Sequence, residues 1–327
     1  MNSESFLVTG AHGCIGAWIV RTLVQQEKSV IATDLADNPT RLRLLLSDEE
    51  LERVQFRALD VTDTDAVKSV LEESGASRVI HLAGLQVPFC KANPVMGARV
   101  NVVGTINVLE AIRSCRDQVK GFSYASSIAV LGPPSRYREV PIDDSVERFP
   151  ETLYGVYKVA DEDAARIYWQ DHGLGSVGLR PYIVYGVARD QGLTSDIAKA
   201  ILAAVGGVPF RVNFCGLVSL QFARDVAEMF IRSAEADVQG AHACNLRNDV
   251  VEVEEFVRVV NETIPGAEIT LDPSRPLPFP ADTDDGGLRS VIGDVPFTPM
   301  KQAVVETAQQ FRELLAEKKI SLEQVQA

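Results

Sequence analysis

The chain has few of the residues that build metal centres or disulfide frameworks. Its 327 residues include five cysteines (Cys14, Cys90, Cys115, Cys215 and Cys244) and four histidines, all scattered, with no Cys-x-x-Cys pair and no metal-ligand spacing. An odd, dispersed set of thiols reads as free cysteines of a reducing compartment. Basic residues are short as well: 32 Lys and Arg stand against 45 Asp and Glu, a formal charge of −13. A surface this acidic is repelled by phosphate backbones and anionic membranes, which argues against nucleic-acid and membrane partners. The start, MNSESFLVTG, has neither a basic segment nor an apolar signal stretch, and nowhere is there an apolar run of membrane-spanning length. The expectation is a cytoplasmic protein without a metal.

What is present is apolar residue in quantity, 46% of the chain, enough for a large core and a second, smaller lobe. Apolar runs at 6–8, 29–33, 54–60, 78–84, 121–127 and 176–186 alternate with amphipathic stretches and are bounded by Gly, Asp or Ser. That alternation predicts an α/β fold with a doubly wound parallel sheet of Rossmann type. Such sheets bind ligands at the carboxyl ends of their strands, where Gly10, Asp34, Asp60, Gly84, Ser126 and Ser127 fall. From about residue 190 helical stretches (195–205, 222–235, 253–263, 300–318) are separated by Pro- and Gly-rich connections, notably 272–287. The predicted division is a nucleotide-binding domain over 1–189 and a smaller, mainly substrate-binding α/β lobe over 190–327.

Gly10, Gly13 and Gly16 stand between the first apolar run and the first amphipathic stretch, in LVTGAHGCIG. Glycine there permits a tight turn, close backbone approach to a pyrophosphate and close helix–strand packing. The helix N-terminus adds unpaired N–H groups and the positive end of its dipole. Asp34 lies eighteen residues past Gly16, at the end of the next apolar run. A carboxylate at that point accepts bonds from the adenosine ribose and repels a 2′-phosphate, so NAD is expected rather than NADP. Arg41 and Arg43, which a 2′-phosphate would need, fall on a predicted helix.

The segment YGVYK raises the question of an acid–base group. On a helix, Tyr154 and Lys158 are i and i+4 and share a face, whereas Tyr157 points roughly 100° away from Lys158. A phenol acting as a base near neutrality must ionise about three units below its ordinary value near 10, a stabilisation of about 4 kcal/mol. A fixed ammonium one helical turn away is the right kind of perturber. A hydroxyl must also orient the substrate oxygen, and either Ser126 or Ser127, at the end of the preceding apolar run, supplies one. His81 reads as a packed strand residue.

These motifs, together with LDVTD, HLAG, NVVGTINVLEA, SSIAVLG and LRPYIVYG, occur in an order and spacing that resembles the extended short-chain dehydrogenase/reductases, the NAD-dependent epimerase/dehydratase family. The resemblance implies that Gly10, Gly13 and Gly16, with Cys14 and Ile15 between them, cradle the pyrophosphate. It implies that Asp34 binds the ribose, that Asp60 and Val61 meet adenine, and that Leu82, Ala83, Gly84, Asn101, Tyr182 and Val184 complete the NAD site. Ser127 matches the family's catalytic hydroxyl. Tyr154 matches the acid/base group, and Lys158 the residue that tunes it and holds the nicotinamide ribose. Ser126, Ser127, Tyr154 and Tyr182 would face the substrate. Position 84 is more often Ala in that family, and Tyr157 replaces the usual Ser, a change expected to alter packing.

Two departures bear on substrate. Members acting on nucleotide-diphosphate sugars usually carry Asn where this chain has Ile183, and an Arg seven residues before the Asp of a D-V-A helix, where this chain has Val218. Losing such charge-assisted bonds costs about 1.5–3 kcal/mol each, unless Arg189, Arg211 or Arg224 replaces them. The expected activity is therefore NAD-dependent oxidation of a hydroxyl on a small polyhydroxylated molecule: a free sugar, sugar acid or polyol of carbohydrate metabolism. An epimerase or dehydratase that retains its NAD is the alternative, and a non-catalytic NAD-binding protein is the reading outside enzymology. The helices near 95–115 and 151–170 have apolar faces broad enough to pair two copies, so a homodimer is expected.

Overall fold

The computed structural model describes residues 4–326. Its strands are β1 (Ser5–Thr9), β2 (Ser29–Asp34), β3 (Val54–Ala58), β4 (Arg78–His81), β5 (Gly121–Ala125), β6 (Ser176–Arg180), β7 (Ile183–Tyr185), β8 (Phe210–Val212), β9 (Leu217–Phe222), β10 (Ala241–Asn245), β11 (Asp249–Glu252) and β12 (Ile269–Leu271). Seven of them form one sheet in the order β10-β6-β5-β4-β1-β2-β3, and every pairing within it is parallel. The order reverses between β1 and β4, and that switch point opens a crevice at the strands' carboxyl ends. The expected Rossmann-type α/β fold is what forms.

Both sheet faces are covered, which is why the strands read as continuous apolar runs. One layer packs helices Cys14–Gln25 and Ala223–Glu235 around Trp18, Leu23, Phe230 and Ile231. The other packs Thr64–Ser74 and Gly104–Ser114 around Leu71, Leu109, Ile112 and Phe122. Helix Leu153–His172 then lies against Gly104–Ser114 and β6. The apolar stretch Pro94–Ser114 is long enough to cross a membrane by composition alone, but half of it is buried in this packing, the setting of a core helix.

Two features differ from the sequence reading. The run 176–186 is not one strand. Pro181 has no N–H for the ladder; its carbonyl accepts from Ile128 N at 3.1 Å, and the chain leaves the main sheet so that β7 pairs with β9. The segment after residue 190 also serves both layers. It builds the β11-β9-β7 sheet and the β12-β8 pair, yet returns β10 and helix Ala223–Glu235 to the main sheet.

Candidate active site

The turn after β1 is set by Gly10, whose φ of +68° suits glycine and whose absent side chain would meet Ala83 N at 2.7 Å. Gly13 donates to the Gly10 carbonyl at 3.0 Å, and a side chain on Gly16 would collide with that same carbonyl. The loop thus brings helix Cys14–Gln25 directly onto the strand ends, with its first N–H groups facing the crevice. Asp34 stands beside it: one carboxylate oxygen accepts from His12 N (3.0 Å), the other from Leu35 N (2.8 Å). Arg41 is committed elsewhere, to Asp190 at 2.8 Å and to the His12 carbonyl, and Arg43 pairs with Asp48.

A cavity of about 240 Å³ runs from this loop to the start of helix Leu153–His172. It brings together Gly10, Gly13, Cys14, Ile15, Gly16, Leu82, Gly84, Asn101, Ser126, Ser127, Tyr154, Lys158, Tyr182 and Val184. Asp34, Asp60, Val61 and Ala83 lie outside it. Ala83 backs the glycine turn, Asp60 is exposed and caps its own turn at Thr62, and Val61 is buried with its carbonyl bonded to Asn107 Nδ2. Their placement follows the strand ends toward the far side of the loop, past the cavity's edge.

The acid–base end is built by close approach. Thr152 caps the helix, accepting from Gly155 N at 3.0 Å, and any side chain on Gly155 would strike the Ala129 carbonyl. The helix start can therefore abut the turn 128–130, which Ser127 begins. Ser127 accepts from Ala129 N at 3.2 Å and keeps its hydroxyl on the cavity. The two serines differ in their partners: the Ser126 hydroxyl donates to Glu162 Oε1 at 2.5 Å. Glu162 is in turn held by Arg180 at 2.8 and 2.9 Å and by Arg148 at 3.1 Å. Ser126 is thus tied into a buried ionic network although it borders the cavity. Tyr157 points away and donates to the Pro94 carbonyl at 2.9 Å, the packing role expected of it.

Lys158 Nζ lies 6.0 Å from the centre of the Tyr154 ring and 3.0 Å from Asp161 Oδ2. Burial works against the ammonium, but Asp161, and then Tyr154, outweigh it and hold the lysine above its ordinary value. Asp161 is pushed up to about 6 by burial, against the pull of Lys158. His81, pressed by burial and then by the Lys158 charge, falls to about 3. It stays neutral between Thr9 Oγ1 (2.6 Å) and Thr105 Oγ1 (3.2 Å), a packed strand residue as expected.

Asn101 sits in a π turn, Arg99–Val103, that interrupts the helix. Such turns re-aim a side chain, and they recur at functional sites. Its amide donates to the Gly97 and Leu85 carbonyls, leaving Oδ1 buried and without a partner. A side chain at Gly84 would meet that oxygen at 2.7 Å, so glycine fits here as the residue that leaves the oxygen clear. A glycine cradle without competing side chains, an unpartnered amide oxygen and a lysine at the far end suit a dinucleotide. Asp161 escaped the sequence reading; the signal for it was its position three residues past Lys158 on the same helix.

Comparison with known proteins agrees. Residues 6–246 match the family described as NAD dependent epimerase/dehydratase. An Escherichia coli O111:H- protein, described as an uncharacterized 37.6 kDa protein in the cld 5′ region, is 28% identical over 94% of this chain and 98% of its own length. A partial consensus L-threonine 3-dehydrogenase superposes with a TM-score of 0.81 at 22% identity, covering 96% of this chain and all of that one. The UDP-glucose 4-epimerase of Thermus thermophilus, solved with NAD, gives 0.77 at 23% identity, covering 94% and 99%. At these identities the structures speak for the fold, and the family match speaks for the cofactor. The chain belongs to the NAD dependent epimerase/dehydratase family, the extended short-chain dehydrogenase/reductases, and is an NAD-dependent enzyme of that superfamily.

Proposed function

We propose that the protein is a dehydrogenase that oxidises a hydroxyl of a small polyhydroxylated molecule, a free sugar, sugar acid or polyol. The observation that carries this reading is the meeting of Ser127, Tyr154 and Lys158 on one cavity, where the two positions that serve nucleotide diphosphates in relatives are buried hydrocarbon. Val218 and Ile183 are fully enclosed in β9 and β7. Arg211 is exposed and paired with Asp272, and Arg224 is paired with Glu306. Neither borders the cavity; of the three arginines that could replace those contacts, Arg189 alone lines it.

In this reading Ser127 holds the substrate hydroxyl and Tyr154 takes its proton. Lys158 keeps its positive charge near the Tyr154 ring, and bound NAD would supply the hydride acceptor for the carbinol carbon. Lys158 and Asn101 are placed to hold the nicotinamide ribose, and Asp34 the adenosine ribose. The test is NADH absorbance when protein and excess NAD meet a panel of sugars, sugar acids, polyols and nucleotide sugars. Turnover of a free sugar, acid or polyol over many cycles supports the proposal. No net NADH, with an inverted stereocentre in a nucleotide sugar, would replace it with a retained-NAD epimerase.

We also propose that two copies pair through the apolar outer faces of the helices at 94–114 and 153–172. Val95, Val103 and Ile106 on one, and Leu153 and Val156 on the other, stand exposed. Light scattering on wild type and on Ile106→Glu checks this: a dimer that the substitution splits is the expected result. The five free thiols suit a reducing, cytoplasmic setting.

A further inference from the structure

Of the side chains lining the cavity, only two carry charge, Lys158 and Arg189. Lys158 has Asp161 as its counter-ion. Arg189 has no carboxylate partner among the described residues. Its side chain makes one long bond, Nη2 to Thr194 Oγ1 at 3.4 Å, and its Nε is buried with no acceptor. Arg189 is half-buried, and a buried guanidinium N–H without an acceptor is costly, so its place in the cavity calls for an anion.

The residues on either side of Arg189 show which one. Val187 accepts through its carbonyl from Trp18 Nε1 at 2.9 Å, on the helix that the glycine loop opens. Asp190 holds Arg41, whose Nη1 donates to the carbonyl of His12, between Gly10 and Gly13. Ala188, between these anchors, takes a left-handed φ of +72°. The strap 187–190 is therefore tied at one end to the helix that follows the glycine loop and, through Arg41, at the other end to the loop itself, with Arg189 on the cavity side. After burial, Arg189 is the strongest influence on the Cys14 thiol at the loop's helix start. The loop itself offers only neutral N–H groups, whereas the pyrophosphate of a dinucleotide carries two negative charges.

We propose that Arg189, anchored beside the glycine loop, is the clasp that would pair with the NAD pyrophosphate. The proposal rests on NAD as the cofactor. It leaves the cavity no cation without a counter-ion, since Lys158 is paired with Asp161, and so narrows the proposed substrates to uncharged sugars and polyols.

The test is calorimetric titration of nucleotide-free protein with NAD, ADP-ribose and adenosine. Arg189→Ala should weaken NAD and ADP-ribose alike by about 10- to 100-fold, the loss of one or two charge-assisted bonds. Adenosine should bind both proteins equally, and added salt should weaken NAD binding less in the variant than in wild type. Arg189→Lys should recover part of the loss. Should the alanine variant not fold, Arg189→Gln reads the same comparison with the side-chain length kept. Affinities for NAD and ADP-ribose within twofold of wild type would overturn the clasp. So would a variant whose KM rises for an acidic substrate while NAD binding stays unchanged. Wild-type protein that bound neither NAD nor ADP-ribose would overturn the clasp and the cofactor site together.

Discussion

Lys158 Nζ and Asp161 Oδ2 lie 3.0 Å apart, both buried, one helical turn beyond Tyr154. The pair makes the field at the acid–base tyrosine depend on whether Asp161 is charged. Below about pH 6 Asp161 takes up a proton, and the lysine charge on Tyr154 is no longer countered. The carboxyl's folded value is raised from 3.8. Its proton therefore contributes folding stability that is fully present below that ordinary value and is lost as pH rises through about 6. Asp161→Asn removes the counter-charge to Lys158 at every pH. The acid limb of its kcat/KM profile should extend to lower pH than that of wild type, with the two profiles converging below about pH 6. Superimposable profiles would show that Asp161 only packs.

Cofactor choice should rest on Asp34. Its carboxylate stands beside the glycine loop, accepting from His12 N, and Arg41 is held by Asp190. Wild type should therefore bind NAD well ahead of NADP. Asp34→Ala should weaken NAD by about tenfold, on the order of one hydrogen bond to a charged group, and narrow the gap to NADP. Paired titrations with the two dinucleotides measure it; an unchanged preference would place discrimination elsewhere.

The Glu162 network is expected to matter for stability more than for chemistry. Glu162 and Arg180 are both buried and doubly bonded, and Arg148 and Ser126 complete the set. Truncating one member leaves an uncompensated buried cation, so Glu162→Ala should cost about 3–5 kcal/mol. Urea unfolding of the variant reads this directly. A loss below about 1 kcal/mol would mean that solvent reaches Arg180 readily.

Much of this site is legible in the sequence because each signal is local. The glycine spacing, the acids and serines at strand ends, and the i, i+4 relation of Tyr154 and Lys158 need no knowledge of distant contacts. What stays hidden is what the chain decides by return. Ser126 and Ser127 are neighbours in sequence, and only the arrival of Glu162 and Arg180 tells them apart. The run 176–186 looks like one strand until β9 draws Ile183–Tyr185 into a second sheet. Arg189 looks like any surface arginine until Trp18 and Arg41 fix the segment on both sides of it. Asp161 was readable by its spacing, yet its weight comes from burial, which sequence spacing does not report.

In the proposed reading Tyr154 moves the substrate proton, at the end of the cavity away from the glycine loop. The most direct measurement compares wild type and Tyr154→Phe in multi-turnover NADH formation on the best substrate of the panel, with NAD affinity determined for both. The account predicts that the rate falls by about 10²- to 10⁴-fold while NAD binds with unchanged affinity. A phenylalanine variant that kept a rate within a few-fold of wild type would contradict it.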